Sequence, residues 1–469
     1  MNGKAKLGIL PLAKKNQYQG DLVRFMAHAK QTYQGPDIEL LMPDEILFDE
    51  AQIVDYVRRM EQEQASMLLV VVGSWIYSSL AVAAVNDTPL PFALYGISDL
   101  IANGNLGASL QIKYVLEEMG KCFAYFAGKV DDADNHKAVK KLLKAAWVRQ
   151  TLRQKKIATI GGKCMMMYQT QVNEFDWKRV FGVDFPQYDS VQIFREMENV
   201  DEEEAKRVAE KFLSGCREVN WSLPSGERIY DDAIVSQAKM FLAFKRFKEL
   251  HGVDVFANKC MPEMVSEVYG YNYGACVATC LLNEAGIITA CEADVPAALS
   301  MYILSLLARD KVFFADIAKL NAQKKLITFF NCGTAPVSMA DKEKGVSLWP
   351  IPRLVADESV PYEYCTSTMG GACVHFDLQN EETVTLMRAG GNGDTLRLHV
   401  CRATTTPREV AEGEEQGIRW PSFGIRLKNS ADHFLQHVTG HHYAIAYGDW
   451  TDELKFLADV LGIGFVFDE

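Results

Sequence analysis

Residues 287–316 read IITACEADVPAALSMYILSLLARDKVFFAD, two short apolar runs that each close on an acid, with a helical segment between them. The first run is Ile287-Ile288-Thr289-Ala290-Cys291-Glu292 and the second Val312-Phe313-Phe314-Ala315-Asp316. Both are short, rich in β-formers and bounded by helical patterns, so they read as strands buried on both faces. Glu292 and Asp316, 24 positions apart (316 − 292), then stand at strand ends. The carboxyl edge of an open α/β sheet is where such folds hold ligands. A single acid there is commonly a helix N-cap, and Asp294 reads as the cap of a helix over Val295–Leu307. Two such acids with an imidazole from elsewhere, His442, make a set able to hold a divalent metal and to move protons.

Working outward toward the amino end, strand patterns Leu7–Leu12, Ile38–Met42, Met67–Val72, Pro91–Tyr95 and Cys122–Phe126 alternate with helical periodicity. That rhythm belongs to a parallel sheet with helices on both faces. The charged helix Asn135–Gln154 leads into strand Ile157–Ile160 and Gly161-Gly162, the start of a second α/β unit. It continues through Val191–Phe194, helices Asp201–Gly215 and Asp231–Leu250, and strand Val253–Ala257. Ser66 to Val85 carries no charge and is long enough to cross a bilayer, but it divides at Gly73-Ser74 into a strand and a helix. From about Val346 short alternating runs and Gly turns take over, among them Thr383–Arg388, Gly390-Gly391-Asn392-Gly393 and Thr395–Cys401, the signature of antiparallel, barrel-like β structure. The chain closes with strand His442–Tyr447, helix Trp450–Leu461 and strand Gly464–Phe467. The fold class expected is two doubly wound parallel α/β domains, 1–155 and 156–308, followed by a domain over 309–469 that contains an antiparallel β-barrel.

Composition narrows the function. A chain of 469 residues with 48% hydrophobic content is globular and exceeds a single core. A net charge of −12 argues against nucleic acid, whose phosphates need clustered Lys and Arg. Eleven cysteines without a metal-type pair read as free thiols in a reducing cytosol, and no apolar signal segment opens the chain, so a cytoplasmic location is expected. Gly104-Asn105-Leu106-Gly107-Ala108 lacks the third Gly and the later acid of a dinucleotide fingerprint and reads as a tight turn. Lys163, after Gly161-Gly162, stands where sugars or anions bind at a strand end. His433, His437, His441 and His442 put four of nine histidines within ten residues, and imidazole is a common transition-metal ligand. In an extended chain His441 and His442 point to opposite faces, so only one faces a given site, and sequence alone favours neither.

Taken together these segments resemble a known family. Cys291-Glu292-Ala293-Asp294-Val295, then Phe314-Ala315-Asp316 at matching spacing, then His442-Tyr443-Ala444-Ile445-Ala446-Tyr447-Gly448 resemble the L-fucose isomerases, with the L-arabinose isomerases as more distant relatives. Asn331-Cys332-Gly333-Thr334-Ala335-Pro336, Val384–Arg388, Gly161-Gly162-Lys163 and Trp177–Asp184 are similar to further blocks. The resemblance implies that Glu292 binds Mn²⁺ and takes part in proton transfer, that Asp316 is its partner, and that His442 is the histidine ligand. Lys163, Asn331, Thr334 and His441 are the expected substrate contacts. A homo-oligomer, often a hexamer, with sites completed by a neighbouring subunit is implied as well. The chain is shorter than typical members, and it carries Asn331 where related sequences often carry histidine, leaving a three-ligand site.

The chemistry that this implies interconverts an aldose and a ketose of fucose, arabinose or sulfoquinovose type through an enediolate. Two carboxylates and an imidazole are a hard O/N set suited to Mn²⁺, and Cys291 reads as a small buried hydrophobe. A metal-dependent sugar aldolase would use similar ligands. A sugar-binding or regulatory relative would not need the acid pair.

Overall fold

Met67–Val72, six apolar residues in a row, is the middle strand of an all-parallel sheet and is buried throughout. The computed structural model describes residues 3–99, 105–222, 228–230, 232–261, 264, 273–351, 371–409, 420–429 and 431–469. Gly104 and Asp231, named above, lie outside these residues. By packing, the chain divides into two units, Met1–Thr151 with Asp452–Gly462, and Leu152–Thr451 with Ile463–Glu469.

In the first unit β1 (Ala5–Leu12), β2 (Ile38–Leu41), β3 (Met67–Val72), β4 (Phe92–Ile97) and β5 (Ala124–Gly128) pair in the order β2-β1-β3-β4-β5. This is one of the doubly wound orders. The uncharged run from Ser66 is cut where expected: strand β3 gives way at Gly73, and helix Ser78–Val85 follows. Gly73 is obligatory, because a Cβ there would stand 2.5 Å from the Leu22 side chain. Among the described residues no helix is long and apolar enough to cross a membrane.

The second unit contains β6 (Ile157–Ile160), β7 (Gln187–Tyr188), β8 (Glu218–Val219), β9 (Val255–Asn258) and β10 (Thr289–Ala290). It continues with β11 (Phe313–Asn321), β12 (Leu326–Phe330), β13 (Ser347–Pro350), β14 (Ala372–His375), β15 (Thr383–Gly390) and β16 (Arg397–Thr406). β17 (Ser422–Arg426), β18 (His442–Tyr447) and β19 (Gly464–Asp468) complete it. A parallel sheet runs β10-β9-β6-β7, and β14-β13-β8 form a small mixed sheet. The strands β15-β18-β11-β12-β17-β16 are antiparallel neighbours, and β16 pairs back onto β15, which closes a six-stranded barrel. β19 adds to β16 in parallel.

Helix Val295–Ala308 joins the parallel sheet to the barrel. It is apolar on every side and buried at each residue from Val295 to Leu307, as expected of a helix enclosed by protein. One side meets β9 and β10, the other β15 and β18. Its amino end therefore opens between the two sheets, where Glu292 emerges.

Val191–Phe194 lies inside helix Ser190–Glu198, whose buried Ile193 and Met197 follow a helical spacing. Two expectations are corrected here. The first run contributes only the two residues of β10 to a sheet, and Glu292 lies beyond it in a turn. Asp316 does not end a parallel strand; it sits inside β11, which continues to Asn321 as a barrel strand. An apolar run of four or five residues looks alike in either kind of sheet, and the half-exposed remainder of β11 masked its length.

Candidate metal centre

Antiparallel register sets the first half of the site. Asp316 of β11 lies directly opposite His442, the first residue of β18. Their side chains meet, with Asp316 Oδ1 3.0 Å from His442 Nε2. A register irregularity between Ile317 and Lys319 follows at once, of the kind that re-aims side chains beside functional sites. The second half comes from the turn before helix Val295–Ala308. Glu292 and Ala293 both have left-handed backbones, φ 57° and 52°, a costly conformation for residues with a Cβ. The turn is held by the Ala293 N–H donating to the Asn258 carbonyl at 3.1 Å and by the Asp294 carboxylate capping Ala297 N–H at 2.8 Å. Glu292 Oε2 thereby comes within 3.1 Å of the same His442 Nε2.

Glu292 Oε2 and His442 Nε2 are buried, yet neither makes a hydrogen bond, because their approach is close but not aligned for one. Two orphaned buried polar atoms call for a missing partner. Donor atoms from Glu292, Asp316, His441 and His442 all lie within 4.8 Å of one another. Neighbouring ligands about an octahedral ion with bonds of about 2.1 Å stand about 3 Å apart, which matches the His442 contacts with both acids. The donor set fits a hard divalent cation, and these four residues are the ones that would hold it.

Behind the site is a buried charge network. Asp294 Oδ2 lies 2.7 Å from His442 Nδ1, while Arg388 Nη2 donates to Asp294 Oδ1 at 3.2 Å and Arg388 Nη1 to the His442 carbonyl at 3.0 Å. Arg388 and Asp294 are both fully enclosed. Burial alone would raise the Asp294 carboxyl, but the Arg388 guanidinium and the His442 imidazole hold it down at about 2. Burial alone would lower His442, but the Asp316, Asp294 and Glu292 carboxylates raise it well above the usual imidazole range. Asp294 holds the Nδ1–H, so it is Nε2 that faces the two acids, and loss of the Nε2 proton would turn a lone pair toward them, the orientation a metal ligand needs. The Phe314 ring, 4.6 Å away between centroids, fixes the imidazole from the side.

The expectation that only one of His441 and His442 can face the site is corrected. His441 Nε2 lies 3.9 Å from Glu292 Oε2 and from Asp316 Oδ1, and the two imidazoles stand 3.8 Å apart between centroids. Strand alternation does not apply, because β18 begins at His442 and His441 occupies a bend. Burial and the neighbouring His442 lower the His441 imidazole, and its Nδ1 is 3.3 Å from the Gln169 amide. Asn331 is buried beside the acids, its amide 3.5 Å from Asp316 Oδ2, and its oxygen accepts from Thr334 N–H at 2.9 Å. Thr334 lies one layer further in, bonded to Asn331 and not among the four converging residues. Lys163 lies on the turn after β6, its ammonium 4.1 Å from the centre of the Tyr168 ring.

No protein-family model matches the chain. The chain is 26% identical over 346 residues to a sulfoquinovose isomerase of Clostridium sp. (strain MSTE9), covering 72% of this chain and 70% of that protein. It is 23% identical over 349 residues to a sulfoquinovose isomerase of Priestia aryabhattai, over 73% and 70% of the two chains. A third, from Alkalicoccus urumqiensis, is 22% identical over 398 residues, 82% of each. These relatives all bear the name of one sugar isomerase. Among solved structures, a periplasmic solute-binding protein of Actinobacillus succinogenes with bound D-allose matches at 13% identity over 66% of this chain and 93% of that one, with a TM-score of 0.18.

Sequence reasoning missed Arg388 and the second duty of Asp294. One signal was present: β15 reads TVTLMRAG, and a lone charge in a strand buried from Val384 to Gly390 requires a buried counter-charge.

Proposed function

We propose that the chain is a divalent-metal-dependent aldose–ketose isomerase acting on an open-chain sugar of sulfoquinovose type. The observation that carries the reading is the convergence of Glu292, Asp316 and His442 with two buried donor atoms left unpartnered. The names of four relatives support the reaction class and the substrate. The order of the sequence blocks supports kinship with the L-fucose isomerases, and with it a homo-oligomer, which sedimentation at working concentration checks.

Glu292, Asp316, His441 and His442 would hold a divalent cation, Mn²⁺ by the hardness of the donor set, which would supply Lewis acidity to the reacting sugar. The protein's own groups handle the protons. Isomerisation takes a proton from C2 of the aldose and delivers one to C1, with a second proton moving between the two oxygens. Glu292 and Asp316 approach one point from different sheets, so a carboxylate on each side of a bound sugar can accept the carbon-bound proton and return it. Such general acid–base work is worth about a hundred- to ten-thousand-fold in rate. Asp294 and Arg388 move no proton; they fix the imidazole against which both acids are placed.

The test is turnover of sulfoquinovose, L-fucose and L-arabinose by chelator-treated protein before and after Mn²⁺ is restored. Ketose formation from the sulfosugar that depends on added metal is the expected result. Undiminished turnover without metal, or no isomerisation of any of the three sugars, would overturn the reading.

A further inference from the structure

Two of the four clustered histidines take no part in the site above. His433 and His437 lie four apart on helix Ala431–His437 and so share one face, their rings 4.3 Å apart between centroids. That face meets Asp468 at the end of β19, where Asp468 Oδ1 is 2.5 Å from His433 Nδ1. The Asp468 side chain is 2% exposed and that of His433 51%, so a buried anchor lies under a face open to solvent. His437 Nδ1 lies 2.8 Å from the His433 carbonyl, which can only accept. The proton of neutral His437 is thereby on Nδ1, and the lone pair of Nε2 is free. The second Asp468 oxygen is engaged by His399 Nε2 at 2.7 Å, and His399 Nδ1 in turn lies 2.6 Å from the Tyr443 hydroxyl. One donor atom from each of His433, His437 and Asp468 lies within 4.8 Å of the others.

We propose that His433, His437 and Asp468 form a second metal site, separate from the Glu292–Asp316–His442 centre and selective for a borderline transition cation of the Zn²⁺ class. Two imidazoles and one carboxylate are the ligand types that Zn²⁺ takes, and waters fill the open positions. The imidazole-rich set favours Zn²⁺, Ni²⁺ or Cu²⁺ over Mn²⁺ by the ordinary order of affinities. The Tyr443–His399 pair behind Asp468 supplies the outer hydrogen bonds that orient a ligating carboxylate. A bound ion ties helix Ala431–His437 to the last strand. Only three residues separate His437 from His441, so the same ion steadies the approach to the first centre.

Calorimetric titration of chelator-treated, full-length protein with Zn²⁺ tests the proposal. The wild type is expected to bind two equivalents, H433Q–H437Q one, and E292Q–D316N one. Zn²⁺ is expected to raise the melting temperature of E292Q–D316N, and that shift is expected to vanish when H437Q is added. His437 is half-buried and belongs to no core cluster, and Gln keeps much of its bulk, so the replacement spares the fold. Stoichiometry in H433Q–H437Q equal to that of the wild type, or only millimolar binding that these changes do not alter, would overturn the second site. If the first centre binds no metal, the wild type takes up a single equivalent that H433Q–H437Q abolishes, so failure of one reading is distinguishable from failure of the other.

Discussion

Replacing Asp294 by Asn tests the network behind His442 with little change of shape. Asn is as good an N-cap as Asp, so the start of helix Val295–Ala308 keeps its Ala297 bond. What is removed is the charge shared between His442 Nδ1 and Arg388. Asp294 is held at about 2 against an ordinary 3.8, a preference for the charged form worth about 2–3 kcal/mol at neutral pH. Its folded value is depressed, so this contribution is complete above about pH 4 and is lost as pH falls toward about 2. Leaving Arg388 buried without its partner raises the cost toward the ~3–5 kcal/mol of a broken buried pair. The expected loss is therefore about 3 kcal/mol in denaturant unfolding of the second unit, with Mn²⁺ affinity down about 10–100-fold as the outer bond to His442 weakens. The double variant D294N–R388M separates the two effects. Removing both charges should recover much of the stability, because no charge is left orphaned. Metal affinity should stay low, because His442 still lacks its carboxylate. Wild-type stability together with wild-type Mn²⁺ affinity in D294N would refute the account of the network.

Glu292→Gln and Asp316→Asn keep the shape and remove basicity, and each is expected to lower turnover by at least about a hundredfold with metal occupancy confirmed; near-normal turnover removes that residue from proton transfer. His441→Gln is expected to weaken Mn²⁺ binding less than His442→Gln, since His441 is part exposed and stands 3.9 Å from both acids, and equal losses by calorimetry would contradict this. Phe314→Ala removes a fully buried ring packed on His442 and is expected to cost about 3–5 kcal/mol in denaturant unfolding, a cost below about 1 kcal/mol being incompatible with that packing.

Much of the architecture was legible because its strands obey local rules. Met67–Val72 and Ile157–Ile160 appear with the boundaries their β-rich runs indicate, each ended by glycine. The alternating runs after Val346 announced antiparallel structure but not its closure. Closure depends on β18 inserting between β15 and β11, and on β16 reaching both β15 and β17, pairings between segments far apart in the chain. Sequence periodicity reports which face of a strand is buried and is silent on its neighbour. For that reason the run ending at Asp316 suggested the edge of a parallel sheet when it belongs to the barrel.

At the candidate metal centre the same division separates the converging residues from their supports. Glu292 and Asp316 were legible as a pair of acids closing apolar runs, whereas His442 was set apart from His441 by the family resemblance. Their joint position follows from register: one residue of slip between β11 and β18 would turn His442 away from Asp316, since successive side chains alternate faces. Asp294 was readable only as a cap, because its cap bond is local to Ala297, whereas its pairing with His442 and Arg388 spans 148 and 94 positions. Arg388 was the one support with a local trace, a charge inside a buried strand that could persist only against a buried acid. Helix Val295–Ala308 links the two cases, since the turn that begins it projects Glu292 toward the barrel while its cap residue steadies the histidine that Glu292 meets. The strain in that turn, left-handed at both Glu292 and Ala293, is the cost of placing one side chain on each side of the same imidazole.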